Sequence, residues 1–136
     1  MIRAFHVTKR YGNITALRDV NVQIRPGEFV FLTGASGAGK TTFLRMLYRG
    51  ELPTSGQLIV DGRNVASLRR REVPKFRRRI GLVFQDARLI EDRSSLENIA
   101  FVGRVLGLSR AEARRRGMEL LKLTGMDHRA ELYPAQ

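Results

Sequence analysis

A chain of 136 residues with 43% hydrophobic content suits one domain with a buried core. Its 25 Lys and Arg against 13 Asp and Glu leave a net charge of +12. The absence of cysteine excludes disulfides, thiolate metal sites and a cysteine nucleophile, and fits a reducing cytoplasm. No apolar run approaches the roughly 20 residues that cross a bilayer, and Met1-Ile2-Arg3-Ala4-Phe5-His6-Val7 alternates like a strand rather than a signal peptide.

In chain order, residues 2–11 and 20–25 read as strands; the second alternates Val20, Val22, Ile24. Pro26-Gly27 is a turn into Glu28-Phe29-Val30-Phe31-Leu32-Thr33, a short continuous apolar run that predicts a strand buried on both faces. Gly34-Ala35-Ser36-Gly37-Ala38-Gly39-Lys40-Thr41 follows and matches G-x-x-x-x-G-K-[ST]. Glycines let the backbone turn tightly, so that several amides face one phosphate. The helix that opens at Lys40 aims its positive end at the same anion. In such a loop Lys40 is a point charge for the β- and γ-phosphates, Thr41 offers a hydroxyl to Mg²⁺, and Thr42 adds a contact to the α-phosphate. A chance glycine turn would not also sit between a buried-type strand and a helix with apolar Phe43, Leu44, Met46 and Leu47. The loop by itself leaves kinase, GTPase and ATPase open.

Pro53-Thr54-Ser55-Gly56 is a turn, residues 57–60 a short strand, and Asp61-Gly62 a hairpin-type pair. Residues 72–79 predict a short basic helix with Pro74 in its first turn. It belongs to a cluster of Arg69, Arg70, Arg71, Lys75, Arg77, Arg78 and Arg79, which suits nucleic acid, anionic lipid, an acidic partner or simply a solvated face. Residues 80–84 read as another buried strand. Ser94-Ser95-Leu96-Glu97 is a capping box opening a helix to about Leu106. Ser109-Arg110-Ala111-Glu112 predicts the same device for a helix to about Leu123, ended by Gly125, with Ala113, Gly117, Leu120 and Leu121 as its apolar stripe. Arg110, Arg114, Arg115 and Arg116 form the second basic cluster on it.

With these motifs in place, the chain resembles the nucleotide-binding subunits of ABC transporters from end to end. The resemblance implies an α/β P-loop NTPase of the ABC ATPase type, N-terminal part: an antiparallel β subdomain, the P-loop strand and helix, and the start of a helical subdomain. It implies a core over about 1–92 and the helical start over about 93–136. Tyr11, 23 residues before Gly34, stands where the family stacks an aromatic residue on adenine. Gln85, after Ile80-Gly81-Leu82-Val83-Phe84, looks like the Q-loop glutamine, which approaches the metal with Thr41 and the attacking water. On that resemblance Lys40 and Gln85 are the catalytic pair, and Tyr11 with Gly34, Ala35, Ser36, Gly37, Ala38, Gly39, Lys40, Thr41 and Thr42 binds ATP with Mg²⁺.

Within the family, Arg71-Glu72-Val73-Pro74, Arg77-Arg78-Arg79-Ile80-Gly81, Phe84-Gln85-Asp86, Asp92-Arg93-Ser94 and Glu97-Asn98-Ile99 look most like the FtsE group of bacterial cell-division ATPases; lipoprotein-release and macrolide-export ATPases share much of the stretch. Thr41, where serine is commoner, and Tyr48-Arg49, at a usually more apolar helix end, depart from the pattern. The resemblance implies an FtsX-like integral membrane partner, a homodimer of ATPase subunits, and a peripheral place on the cytoplasmic face of the inner membrane. A nucleic-acid-associated relative is the alternative; the basic run lacks interleaved aromatic residues, so nucleic acid is not the expected partner. The family's signature loop should follow Tyr133-Pro134-Ala135-Gln136, and its Walker B carboxylate, catalytic glutamate and switch histidine come later still. The chain therefore reads as a fragment or truncated frame that binds nucleotide weakly without turnover, is marginally stable or aggregates, and leaves its P-loop strand with unpaired edges.

Overall fold

Strand β1 (Ile2–Tyr11) turns through Gly12 and Asn13 into strand β2 (Ile14–Ile24), antiparallel, with Ile2 opposite Ile24 and Tyr11 opposite Ile14. Strand β3 (Ser55–Val60) pairs with the other edge of β1, and the two-residue β4 (Arg63–Asn64) pairs with β3, in the order β2-β1-β3-β4. The β3–β4 turn is Asp61-Gly62, with φ of 50° and 74°; two left-handed residues match the right-handed twist of a hairpin, as the sequence signal predicts. β2 begins six residues earlier than the alternation from Val20 suggested.

This computed structural model describes all 136 residues and separates them into two compact units, Met1–Ile80 and Gly81–Gln136. In the first unit, helix α1 (Lys40–Leu47) buries Phe43 and Met46. They meet Ala4, Val7, Leu58 and Val60 of the sheet and Val65, Leu68 and Phe76 beyond it. A 3-10 turn (Arg70–Glu72) leads into helix α2 (Val73–Arg77), shorter than the expected 72–79, with Pro74 in its first turn. Val73 and Phe76 anchor it. Arg77 donates to the Tyr48 and Arg49 carbonyls at 3.0 and 2.9 Å. These are groups that the end of α1 leaves without helical partners.

The second unit is a helical pair, α3 (Ser95–Val105) and α4 (Arg110–Leu123). The α3 capping box forms as predicted: Glu97 N donates to Ser94 Oγ at 3.3 Å and Ser94 N to Glu97 Oε2 at 3.1 Å. Only half of the second box forms. Glu112 N donates to Ser109 Oγ at 3.2 Å, but the Glu112 carboxylate turns to Arg115 and Arg116 instead of the Ser109 amide. A charged guanidinium outcompetes a neutral backbone donor. Leu96 and Leu121 with Ala130 form this unit's core. Leu120, expected in the apolar stripe, is exposed, while Ala113, Gly117 and Leu121 are buried. Gly125 ends α4 with φ of 68°, and Met126 N returns to Leu121 O at 2.8 Å.

Two predicted strands do not form. Residues 28–33 and 80–84 enter no sheet. Phe29 and Phe31 are 83% and 79% exposed and Val83 is fully exposed. The two rings meet edge to face, with centroids 5.0 Å apart. An apolar run becomes a strand only when another backbone meets its amides and carbonyls. Every strand of the antiparallel sheet pairs with its own neighbours, and no segment of residues 1–136 pairs with these two.

Candidate nucleotide-phosphate site

Residues 34–39 loop back so that α1 starts directly beneath them. Gly34, Gly37 and Gly39 take φ of 146°, 78° and 87°, a region that residues with a side chain adopt at a cost of about 1–2 kcal/mol each. Gly39 is constrained twice. Besides its φ, a Cβ there would strike the carbonyl oxygen of Ala16 and lie 2.7 Å from Leu17 Cδ2. The loop thus rests on β2, and the glycine is what allows the approach. Ala38 N donates to Ala35 O at 3.2 Å, holding the tip.

The turn encloses a concavity of about 230 Å³ lined by Ala16, Ser36, Gly37, Ala38, Gly39, Lys40, Thr41 and Thr42. No side chain caps the start of α1, whose N-cap is Gly39. Its first amides therefore remain available to an anion, where the helix's positive end adds to their effect. Lys40 lies over the loop, its Nζ donating to the Gly34 and Ala35 carbonyls at 2.7 Å each. The only charge in the lining is this ammonium: it holds no carboxylate and no imidazole. The arrangement suits binding of a polyphosphate, with the hydroxyls of Ser36, Thr41 and Thr42 also in the lining. Nowhere in the molecule do three or more His, Asp or Glu gather in a way that would hold a metal ion.

All the predicted loop residues come together in the first unit. Gly34 and Ala35 contribute carbonyls to Lys40, and Ser36 through Thr42 line the concavity. Tyr11 lies in the same unit, at the end of β1 opposite Ile14; its ring is half exposed, with Lys9 Nζ 4.7 Å from the centroid. Glu51, bridged to Lys9 at 2.9 Å, has its carboxyl held below the ordinary range first by that hydrogen bond, with Tyr11 adding a smaller one. Ala16 was not predicted as a site residue. It is two residues along β2 from Ile14, so one hairpin carries Tyr11 and supports the P-loop. Nothing in an alanine's identity signals this; only strand register does.

Gln85 lies in the second unit, on an exposed bend with no hydrogen bond to its amide. The chain just after it is clamped locally. Arg88, itself at a φ of 49°, lies 4.0 Å over the Phe84 ring and donates to Asp86 Oδ2 at 3.1 Å. Asp86 is held below the usual carboxylate range, first by its own backbone amide and then by Arg88. Further on, Asn98 was read only as part of a resemblance, yet it organises the approach to α3. Its Oδ1 accepts from Ile90 N at 2.7 Å, and its Nδ2 donates to Ile90 O, Arg93 O and Ser94 O at 3.0, 3.0 and 3.1 Å.

The family model described as ABC transporter matches residues 17–135. The chain belongs to the ABC transporter family. Among curated proteins similar to this ABC transporter chain is the cell division ATP-binding protein FtsE of Bacillus subtilis, 42% identical over 137 residues and covering 100% of the chain and 60% of that protein. The FtsE of Mycobacterium tuberculosis is 45% identical over 136 residues, covering 98% and 59%. The methionine import ATP-binding protein MetN of Geobacillus kaustophilus is 41% identical over 140 residues, covering 100% and 41%. The chain therefore spans about three fifths of the FtsE proteins it matches. Among solved structures, the dimeric ATP-binding cassette MJ0796 bound to ADP and Pi in a post-hydrolysis state superposes with a TM-score of 0.88 at 35% identity, covering 100% of this chain and 62% of that one. A second dimeric structure of MJ0796 gives 0.89 at 36%. The fold is thus that of the N-terminal part of an ABC ATPase, as the resemblance implied.

Proposed function

We propose that this chain is the ATP-binding portion of an ABC-type ATPase subunit that acts in bacterial cell division, its nucleotide cycle driving a conformational change in an FtsX-like integral membrane partner. The observation that carries the reading is the cradle at residues 34–42: three left-handed glycines, an uncapped helix start and one ammonium converge on a concavity sized for phosphates. There Lys40 exchanges its two carbonyl partners for β- and γ-phosphate oxygens, a stronger pairing because the acceptors are ionised. The Thr41 hydroxyl faces the cation and Thr42 the α-phosphate. Mg²⁺, bound mainly by the nucleotide, supplies neutralisation of charge that develops on the transferred phosphoryl group. Tyr11 stacks on adenine from the hairpin that supports the loop, a contact worth roughly 1–3 kcal/mol per base. Gln85 orients the attacking water.

With no carboxylate or imidazole in the cradle, the 136-residue chain binds ATP without turning it over; hydrolysis belongs to a complete site formed between two subunits. The dimeric state of MJ0796 supports that assembly. No helix is long and apolar enough to cross a membrane. The place assigned to the subunit, peripheral at the cytoplasmic face, belongs to the proposal. Titration with a fluorescent ATP analogue tests the reading: Lys40→Ala should weaken binding on the order of tenfold to a hundredfold, as loss of a charged hydrogen-bonding group does. Equal affinity in the two chains, or steady ATP hydrolysis above the Lys40→Ala background, would refute it. Identity to MetN, at 41%, favours an import-type ATPase as the second reading. Filamentation of cells depleted of the protein supports the division role, whereas loss of methionine uptake without a division defect supports import.

A further inference from the structure

The basic run at residues 69–79 divides by what its side chains already do. Arg77 is spent on the carbonyls at the end of α1. Arg79 is paired with Asp61 at 2.5 Å. Glu72 accepts from the Arg69 amide at 2.8 Å and lies 4.0 Å from Arg63. That leaves Arg69, Arg70, Arg71, Lys75 and Arg78 exposed, with no carboxylate partner.

These cations are not scattered. Residues 70–78 wind helically through the 3-10 turn, α2 and Arg78. At about 120° per residue in the 3-10 turn and about 100° in α2, Arg71, Lys75 and Arg78 fall within about 80° of one another. Val73 and Phe76 lie on the opposite side, and both are buried in the first unit. The buried pair, the buried Leu68 and the pinned Arg77 therefore hold the stripe outward on a rigid support. Exposed Pro74 flanks it and adds a small apolar contact.

We infer that this stripe is a docking surface for anionic lipid, with Arg71, Lys75 and Arg78 lying on phosphate headgroups. The inference goes beyond the nucleotide site and does not depend on it. A short helix parallel to a flat anionic surface brings all three cations to the headgroups at once. Duplex nucleic acid is the less favoured partner, because α2 has only five residues and three cations in one patch neutralise few of the phosphates that a duplex binder engages.

The experiment is flotation of the chain with phosphatidylglycerol–phosphatidylcholine vesicles against pure phosphatidylcholine; flotation also separates bound protein from any aggregate, which sinks. Binding should require phosphatidylglycerol and fall as salt is raised. Each stripe cation should contribute about fivefold, so Arg71→Gln/Lys75→Gln/Arg78→Gln should weaken binding on the order of a hundredfold. Arg71→Lys/Arg78→Lys should retain it. Arg104→Gln/Arg110→Gln, which removes two unpaired cations of the second unit, should change it by less than about fivefold. Independently of any variant, the Lys75 amine should be shielded from acylation by phosphatidylglycerol vesicles. The inference is overturned by failure to float with anionic vesicles, by equal losses in the stripe and control variants, by unaltered Lys75 reactivity, or by tight duplex DNA binding without vesicle binding.

Discussion

Residues 2–11 and residues 28–33 carry the same kind of signal, apolar residues rich in β-branched and aromatic types, and they end differently. The first is the central strand of the sheet, with β2 on one edge and β3 on the other. Its Ala4 and Val7 are buried against Leu58, Phe43 and Met46. The second, the more hydrophobic of the two, enters no sheet and leaves its phenylalanines in solvent. Hydrophobicity says that a segment gains from burial. It does not supply the second backbone that a strand needs, and a hairpin supplies it locally whereas a crossover strand must find it elsewhere in the fold. The P-loop can still form after a segment that pairs with no strand, because its geometry comes from glycine dihedrals, the start of α1 and support from β2.

The widest gap between these regions should appear on removing one ring from each. Phe76, 2% exposed, should cost about 3–5 kcal/mol on change to alanine, enough to abolish the cooperative unfolding of a marginal domain. Phe31→Ala should shift the urea midpoint by an amount worth no more than about 0.5 kcal/mol. Similar shifts for the two would mean that residues 28–33 pack in solution. Next in size is Asn98→Ala. It removes four hydrogen bonds that fix residues 90–94, and the second unit should lose about 2 kcal/mol together with exchange protection at the Ile90 amide. Protection that survives would show that the α3 capping box alone holds this segment.

Arg77→Ala should cost about 1 kcal/mol, from two carbonyls at the end of α1, and Arg77→Lys should restore only part, since a lysine lacks the fork that reaches both. This separates Arg77 from its neighbour Arg78, where neutralisation should leave stability unchanged. The smallest effect is an acid titration. Arg115 and then Arg116 hold the Glu112 carboxyl down from 4.5 to about 2. A depressed carboxylate contributes stability above its unfolded value, and that contribution fades as pH falls from about 4.5 through about 2. Carbon-detected NMR should place the Glu112 midpoint near 2, and a value near 4.5 would mean that the two arginines do not hold it in solution.

What could be read from the chain was what forms within a few residues. The P-loop spacing, the Asp61-Gly62 turn, the Ser94 box and the Gly125 stop all rest on dihedral preferences or bonds spanning three to five positions, and each stands where the sequence placed it. The half-formed box at Ser109 shows the limit even at that range, because Arg115 and Arg116 lie just beyond the motif and win its glutamate. The site was legible to the same depth: residues 34–42 come together as the spacing predicts, while Ala16 beneath Gly39 has no signature of its own. Only the tertiary structure decided which apolar runs became strands, which arginines of one basic run were spent on carbonyls or carboxylates and which stayed free, and that Asn98 ties down the entry to α3. The physical reason is common to the first two; the partners of Asn98 lie only four to eight residues back, in an irregular segment that no motif marks. Strand pairing and the partners of a long cation are settled by groups tens of residues away, whereas helix caps and glycine turns carry their partners with them.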